Sequence, residues 1–459
     1  MKRFDAVIVG AGQAGPSLAA RLTAAGMSVG YVERKLFGGT CVNTGCTPTK
    51  AMVASAYAAH MARRAGEYGV VLEGAAPKVD MGRVIARREA IVARSRSGVE
   101  ASLRENPRCT VYDGTASFEA PYVLRVGDEQ LTAERIFLNV GGRASVPDLP
   151  GVKEVPFFTN TSLLAFPELP RHLVIVGGSY IGIEFGQMYR RFGSEVTIVE
   201  KGPRLVQHED EDVSAAVREI LEGEGITVRT NAECIHLAPH AEGVRVGTDC
   251  TTDEPEVVGS HVLLAVGRRP NTDDLGLERA GIRADPRGYV EVDDQLETSL
   301  KGVYALGDCN GRGAFTHTAY NDFEIVAANL LDGGSRRVSD RIPCYALYMD
   351  PPLARIGLTE REVRASGRAA LMGTRPMSRV NRALEKGESL GFMKVLVDAE
   401  TRQIVGASLL GVGCDEAIHC LLDTMYARAP YTTVQNAVHI HPTVSELIPT
   451  VLGGLEPLS

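Results

Sequence analysis

Two stretches of this chain repeat one another in their order of apolar and polar positions. Phe4 to Val9 reads as a buried strand, Gly10-Ala11-Gly12-Gln13-Ala14-Gly15 follows, and a helical stretch through Ala25 leads to a second strand ending at Glu33. Shifted by 167 residues the order returns: His172 to Val176, Gly177-Gly178-Ser179-Tyr180-Ile181-Gly182, a helix through Phe192 and a strand ending at Glu200. The first glycine and the closing acid lie 23 residues apart in both copies. Each copy predicts a strand–helix–strand unit.

Elsewhere the pattern changes. Residues around 110 to 140 and 227 to 266 alternate in short strand-like runs, and each region closes on a similar phrase, Asn139-Val140-Gly141-Gly142-Arg143 and Ala265-Val266-Gly267-Arg268-Arg269-Pro270. These phrases predict returns of the chain from a nucleotide domain. A further short strand over 302 to 308 is stopped by Gly307-Asp308. From about 340 onward, strands near 353–357 and 391–398 and helices near 415–428 and 443–451 predict a separate α+β unit, with Ser335-Arg336-Arg337 and Pro343 at the joint.

Composition narrows the classes. A length of 459 residues suits roughly three domains. With 44% hydrophobic and 23% charged residues, the chain is globular rather than disordered, fibrous or coiled-coil. The net charge of −8, without a long block of Lys or Arg, argues against nucleic acid as a partner. Apolar runs such as Ala6 to Val9 and Leu173 to Val176 fall far short of the roughly 20 residues of a membrane span. Lys2 and Arg3 begin like a secretory leader, but Asp5 and the glycine motif replace its apolar stretch, so a cytoplasmic protein is expected. Nine cysteines, an odd number, argue against a secreted disulfide framework and leave any close pair open to redox chemistry.

The repeated glycine phrases match a dinucleotide fingerprint. The first Gly allows the tight turn, the second lets backbone approach a pyrophosphate, the third lets helix and strand pack closely, and the closing Glu accepts hydrogen bonds from a ribose. One such phrase alone is also met as a plain glycine-rich turn. Two copies, each with strand before, helix after and an acid at the same distance, favour nucleotide binding. In the second copy Ser179 stands where the middle Gly belongs, which weakens the expectation of close backbone approach there.

Gly38-Gly39-Thr40-Cys41-Val42-Asn43-Thr44-Gly45-Cys46-Thr47-Pro48-Thr49-Lys50 opens an Ala-rich helical stretch from about 47 to 65. In a regular helix, positions five apart have Cα atoms roughly 8.6 Å apart, beyond the roughly 7 Å limit for a disulfide. A bridge between Cys41 and Cys46 would need distorted backbone, which Gly45 permits, while Pro48 suits the first turn of a helix beginning just after Cys46. A thiolate at a helix N-terminus is favoured. The alternatives are two buried free cysteines or half a zinc site, although C-x4-C is not a usual half-site and two further ligands would be needed. No metal is expected. Near the C-terminus, His439-Ile440-His441-Pro442-Thr443-Val444-Ser445-Glu446 sets an imidazole near a carboxylate able to fix its tautomer and raise its basicity.

Together these motifs resemble the class I pyridine nucleotide-disulfide oxidoreductases, the FAD enzymes that include dihydrolipoyl dehydrogenase, glutathione reductase and mercuric reductase. The resemblance runs over essentially the whole chain. It implies an α/β fold with two Rossmann-like dinucleotide-binding domains, one for FAD and one for NAD(P), plus a C-terminal α+β dimerisation domain. The implied division is 1–150 and 271–338 for FAD, 151–270 for NAD(P) and 339–459 for dimerisation. It further implies that Gly10, Gly12, Gly15 and Glu33 hold the ADP half of FAD, that Gly307 and Asp308 meet the flavin, and that Gly177, Gly182 and Glu200 hold the nicotinamide nucleotide, with Gly267 also a cofactor-binding position. By similarity Cys46 is the charge-transfer thiol and Cys41 the interchange thiol. Lys50 and Glu184 match an ion pair beside the flavin, and Tyr180 matches an aromatic gate over the nicotinamide pocket. His441 with Glu446 matches an acid–base dyad that the family contributes across a two-fold axis, so a homodimer is implied. His439 is expected to be a packing residue, and Cys109, Cys234, Cys250, Cys309, Cys344, Cys414 and Cys420 show no metal-site spacing.

Glu200 would accept from a 2′-hydroxyl and repel a 2′-phosphate, so NADH is favoured, with NADPH retained because Lys201 and Arg204 lie nearby. That also disfavours glutathione reductase. The final stretch from Val451 to Ser459 lacks the cysteine pair with which mercuric reductases hand over metal, which puts mercury handling in doubt. The segments Phe315 to Phe323 and Met349 to Gly357, and the ending Cys46-Thr-Pro-Thr-Lys50, resemble instead a mercuric reductase-like branch of bacterial stress flavoproteins, that of the reactive-chlorine-resistance reductase. The branch is linked to reduction of hypothiocyanous acid or copper(II). The expected function is therefore reduction of a small oxidised-sulfur, hypothiohalous acid or metal-ion acceptor through Cys41 and Cys46. A dihydrolipoyl dehydrogenase, a mercury(II) reductase and a non-enzymatic redox sensor are the alternatives.

Overall fold

A computed structural model describes residues 1–74, 77–233, 235–248 and 256–458. Cys234 and Cys250 lie outside the described residues.

The first glycine phrase follows the strand Lys2–Val9, whose last four residues are buried, and precedes the helix Ala14–Ala24. That strand pairs in parallel with Val29–Glu33 on one side and with Glu129–Leu138 on the other, aligning Val9 with Val32 and Leu138. Cys109–Asp113 and Val303–Ala305 extend the parallel sheet outward. The hairpin strands Ala116–Ala120 and Val123–Val126 continue it antiparallel. Both Gly10 and Glu33 therefore leave the sheet at the carboxyl ends of neighbouring strands, where open α/β sheets bind ligands.

The second copy builds a smaller parallel sheet in the order Thr227–Arg229, Glu195–Val199, His172–Val176, His261–Leu264. All five residues of His172–Val176 are buried, because the helix Tyr180–Phe192 covers one face and a three-stranded antiparallel sheet of His236–His240, Gly243–Gly247 and Glu256–Gly259 covers the other. The two similar return phrases pair with each other. Gly142–Ala144 runs antiparallel to Arg268–Pro270, and the Ser145 N–H donates to the Gly267 carbonyl at 2.9 Å.

The C-terminal unit is a six-stranded antiparallel sheet ordered Cys344–Leu347, Leu353–Gly357, Ile404–Leu410, Phe392–Asp398, Ala370–Pro376, Glu456–Pro457. Its helices are more broken than the pattern predicts. The stretch 415–428 divides into Cys414–Ala417 and His419–Tyr426, and 443–451 divides into a 3-10 turn, Ser445–Leu447, and the helix Ile448–Gly453. Pro449 sits in the first turn of that helix, the one place where its missing N–H costs nothing. The 24-residue helix Met81–Arg104 has no counterpart among the sequence expectations: only Met81, Arg88, Val92 and Leu103 are buried, too few apolar positions to mark a stripe. Among the described residues no helix is long and apolar enough to cross a membrane.

Candidate active site

The first glycine loop is organised by one buried side chain from another strand. Asn139, at the end of Glu129–Leu138, accepts the Gly15 N–H at 3.0 Å and donates through Nδ2 to the Leu306 carbonyl at 3.0 Å. The loop is thus tied to the residue preceding Gly307-Asp308. A Cβ at Gly12 would stand 2.8 Å from Asn139 Oδ1, so closeness favours glycine there, while Gly307 has a left-handed backbone, φ +73°, that favours glycine by conformation. The Ala11 N–H donates to Glu33 at 2.7 Å, which places the acid beside the loop, as a ribose ligand requires. The Gly307 N–H donates to buried Asp322 at 2.8 Å, and Asp308 stands 3.3 Å from Arg268 Nη2. A phosphate loop without side chains at its turns, a carboxylate at the next strand end and the Asp308–Arg268 pair together fit FAD.

The second loop repeats the local arrangement. The Gly178 N–H donates to Glu200 at 2.6 Å and the Gly202 N–H to its other oxygen at 2.7 Å. A Cβ at Gly182 would overlap the Gly177 carbonyl. Ser179, the expected weak point, is the residue before the helix Tyr180–Phe192 and makes no side-chain capping bond, while Gly178 takes the close approach, its position 3.0 Å in Cβ terms from the Glu200 side chain.

The cysteine segment packs on the first loop. A Cβ at Gly39 would lie 2.8 Å from Gly12 Cα, and Gln13 Nε2 donates to the Gly38 carbonyl at 3.2 Å. Cys41 belongs to a single short helix, Gly39–Asn43, and Cys46 opens the long helix Cys46–Arg63. The two cysteines are thus on different helices, and the break falls at Gly45, as the disulfide geometry demands. Gly45 is required there because a Cβ would meet the Thr40 carbonyl at 2.9 Å. Cys41 is half-buried and Cys46 exposed, both as thiols within hydrogen-bond reach of one another.

The pair shares its charge unequally. The hydrogen bond from Cys41 lowers Cys46 to about 6, helped by the Thr316 hydroxyl 3.3 Å from its sulfur and by the Lys50 charge, against burial and Glu184. The same hydrogen bond, with burial, pushes Cys41 well above the ordinary thiol range. Cys46 is therefore the thiol of the pair that gives up its proton more readily. The other described cysteines are unlike them: burial pushes Cys109 up to about 11 and Cys309 and Cys414 up to about 12, and burial also raises Cys344 and Cys420.

Lys50, one turn along the same helix, donates to both oxygens of Glu184 at 2.9 and 2.7 Å. Glu184 also accepts the Tyr348 N–H at 3.0 Å, and the ammonium lies 4.8 Å from the centre of the Tyr348 ring. The Glu184 side chain is only 8% exposed and Lys50 33%. Removing Lys50 would leave a buried carboxylate unpaired, a cost of about 3 kcal/mol for fully buried pairs, reduced here by the solvent that reaches Lys50. Tyr180 meets Phe315 and Tyr345 edge-on at 5.6 and 5.5 Å, and Phe315 stacks on Tyr345 and His317. Tyr345 is held in turn by a hydrogen bond to Glu209, which Arg355 pairs.

His441 and Glu446 meet as the spacing implied, with Nδ1 3.1 and 2.9 Å from the two carboxylate oxygens. They line a cavity of about 340 Å³ whose lining runs from Arg375 to Pro449, so no part of the cysteine segment borders it. On the same loop Val438 is wholly exposed and Ile440 is 81% exposed. His439 lines this cavity rather than packing in the core.

Asn139, Thr316, Tyr345, Tyr348 and Arg268 carry parts of the site that the motifs did not assign. Asn139 and Arg268 stand in the two similar return phrases and Thr316 in the segment Phe315 to Phe323, whereas Tyr345 and Tyr348 lie in no quoted motif. Two triads of metal-ligand residues occur outside the site among the described residues. Asp210, Asp212 and Glu360 already surround the Lys394 ammonium at 3.1, 2.8 and 3.1 Å, and His60, Asp350 and Glu388 are paired by Arg64 and Arg191.

A family model described as pyridine nucleotide-disulphide oxidoreductase matches residues 4–322, and that family's dimerisation domain matches 344–452. The chain is 35% identical to the probable pyridine nucleotide-disulfide oxidoreductase RclA of Escherichia coli over 97% of its own length and 98% of that protein. It is 33% identical to a dihydrolipoyl dehydrogenase of Thermus scotoductus, with 97% and 96% covered, and 30% identical to a mercuric reductase of Streptomyces lividans, with 97% and 94% covered. Among solved structures, a Cu(II) complex of the HOCl-induced flavoprotein disulfide reductase RclA from Escherichia coli superposes with a TM-score of 0.90 at 34% identity, covering 99% of each chain.

Proposed function

The chain belongs to the pyridine nucleotide-disulphide oxidoreductases, and on that premise we propose that it uses Cys41 and Cys46 to reduce a small oxidised-sulfur or hypothiohalous acceptor with electrons from NADH. The carrying observation is the cysteine pair itself, brought together by two helices that break at Gly45, seated against the first glycine loop and beside the Lys50–Glu184 pair. It is an FAD enzyme. When bound, FAD would supply the two-electron transfer that links the nicotinamide nucleotide to the cysteine pair.

Residues 1–150 and 271–338 form the FAD unit, 151–270 the nicotinamide unit and 339–459 the dimerisation unit. Gly10, Gly12, Gly15, Glu33, Gly307 and Asp308 hold FAD; Gly177, Gly182, Glu200 and Gly267 hold the nucleotide, with Tyr180 over its pocket. The chain's own residues then divide the chemistry. Because Cys41 holds its proton, attack requires a base, and His441 of the partner subunit, oriented by its Glu446, supplies one. The Cys41 sulfur attacks one sulfur of a disulfide acceptor; a mixed disulfide forms and the other half leaves as a thiolate that takes the proton from the imidazolium. The Cys46 thiolate then attacks Cys41, expels the second thiolate and restores the Cys41–Cys46 disulfide. A dimer in which each dyad serves the other chain's cysteines accounts for a cavity bordered only by residues beyond 374 and for the exposed Val438 and Ile440.

The acceptor class rests on the likeness to RclA, the HOCl-induced flavoprotein disulfide reductase of Escherichia coli. The test is NADH oxidation by the purified yellow protein with hypothiocyanous acid and with lipoamide in parallel. Turnover of the former without the latter supports the reading; rapid lipoamide turnover alone moves the protein to the dihydrolipoyl dehydrogenases. Cys41→Ser should abolish acceptor reduction and keep FAD, whereas full turnover in that variant overturns the scheme.

A further inference from the structure

The cavity around the proton-transfer dyad holds more positive charge than proton transfer needs. Arg375, Arg379, Asn381 and His439 line it with His441, and its one carboxylate, Glu446, is occupied on both oxygens by His441. Arg375 is spent on structure: its Nε and Nη2 donate to the Arg379 carbonyl at 3.2 and 2.7 Å and so hold the turn Met377–Arg379. Arg379 is different. It is exposed, and among the described residues its guanidinium makes no hydrogen bond, ion pair or ring contact, although Arg382 three positions on is paired with Glu385 at 3.0 Å. His439 has Nδ1 3.1 Å from the Ala437 carbonyl, an arrangement that places the proton on Nδ1 and leaves Nε2 free. In a chain of net charge −8 this is a local positive focus, set where the acceptor must stand to exchange protons with His441.

Resting on the disulfide-reductase reading, we propose that this cavity selects acceptors carrying a negative charge close to the oxidised sulfur, with Arg379 as the specificity-determining residue. A guanidinium with no internal carboxylate presents its fork of donors to a carboxylate or other oxyanion without first breaking an existing pair. Neutral acceptors reach the same sulfur chemistry and lack that contact.

Lipoate and lipoamide make a matched test, because they share the dithiolane ring and differ in carboxylate against amide. A second pair is 5,5′-dithiobis(2-nitrobenzoate) against neutral 4,4′-dithiodipyridine. The wild-type enzyme should show a higher kcat/KM for the anion of each pair, and the preference should shrink as salt rises. Arg379→Gln should lower the anion-to-neutral ratio about tenfold, what one charge-assisted hydrogen bond supplies, and through KM rather than kcat. Arg379→Lys should recover part of it, with flavin content as the control for folding. A ratio unchanged by Arg379→Gln, or a wild-type preference for the neutral member, overturns the proposal while leaving the reductase reading intact. Failure of the wild type to oxidise NADH with any of the four disulfides overturns the pocket's role, and failure with hypothiocyanous acid as well strikes at the reductase reading.

Discussion

In the loop Gly10 to Gly15 the Ala11 N–H donates to Glu33 at 2.7 Å, and in the loop Gly177 to Gly182 the Gly178 N–H donates to Glu200 at 2.6 Å, so the two glycine loops start from the same local turn. Their surroundings differ. The first loop is pinned through Asn139 to Leu306, 167 residues further on, and has Gly39 of the cysteine segment packed onto Gly12. Each acid is also held by a near neighbour, Glu33 by the Lys35 N–H and Glu200 by the Gly202 N–H, both at 2.7 Å, and Glu200 takes a further bond from the nearby Gln207 side chain at 2.9 Å. The second loop packs Gly177 against the Ala265 carbonyl, but among the described residues no side chain ties it down as Asn139 ties the first. One fingerprint thus serves two purposes. Under the proposed assignment, the extra tie through Asn139 suits the FAD that stays in the first loop, and a loop without it suits a nucleotide that must come and go.

The comparison is broken most severely at Asn139. Asn139→Leu removes both hydrogen bonds and leaves a buried Gly15 N–H and Leu306 carbonyl unpaired. The protein should purify largely colourless, with a flavin-to-protein ratio reduced at least about tenfold, and a fully yellow variant would refute the anchoring role.

Gly182→Ala tests the second loop. Its methyl group overlaps the Gly177 carbonyl, so KM for NADH should rise at least about tenfold while flavin content stays near that of the wild type. Loss of flavin from this variant would show that the two loops are not independent.

The acids sharpen the contrast further. Glu200→Gln removes the charge that repels a 2′-phosphate and should cut the preference for NADH over NADPH by about tenfold in kcat/KM. Glu33→Gln should leave that preference where it was and weaken only flavin retention.

The smallest effect concerns the thiolate between the two sites. Because the folded protein lowers Cys46 to about 6, thiolate is present above that pH and is lost below it. The rate of alkylation by iodoacetamide in the reduced enzyme should therefore fall with a midpoint near pH 6. Lys50→Met removes one of the stabilising charges and should move that midpoint upward. An ordinary thiol profile in the wild type would contradict a readily ionised Cys46.

Local order was legible because it depends on near neighbours. The strands ending at Val9 and Val176, the helix ending at Phe192 and the two acids stand where the repeat placed them, since a buried strand, a glycine turn and an amphipathic helix each announce themselves within about ten residues. The helix Met81–Arg104 went unread for the opposite reason, its polar surface hiding the few apolar positions that pack. The C-terminal helices were located but not their breaks.

The site divides along the same line. The sequence by itself determined the chemistry available: two cysteines around Gly45, two glycine loops with their acids, and a histidine five residues before a glutamate. Only the tertiary structure decided which groups act together. Asn139 finds Gly15 across 124 residues, Cys46 finds Thr316 across 270, and Arg379 stands at the cavity of His441 with no pair among the described residues. Spacing along the chain governs what one turn or strand can bring together, whereas contacts over such distances arise only when separate sheets and helices pack. The charge of a thiol, the anchor of a glycine loop and the sign of a pocket follow from that packing.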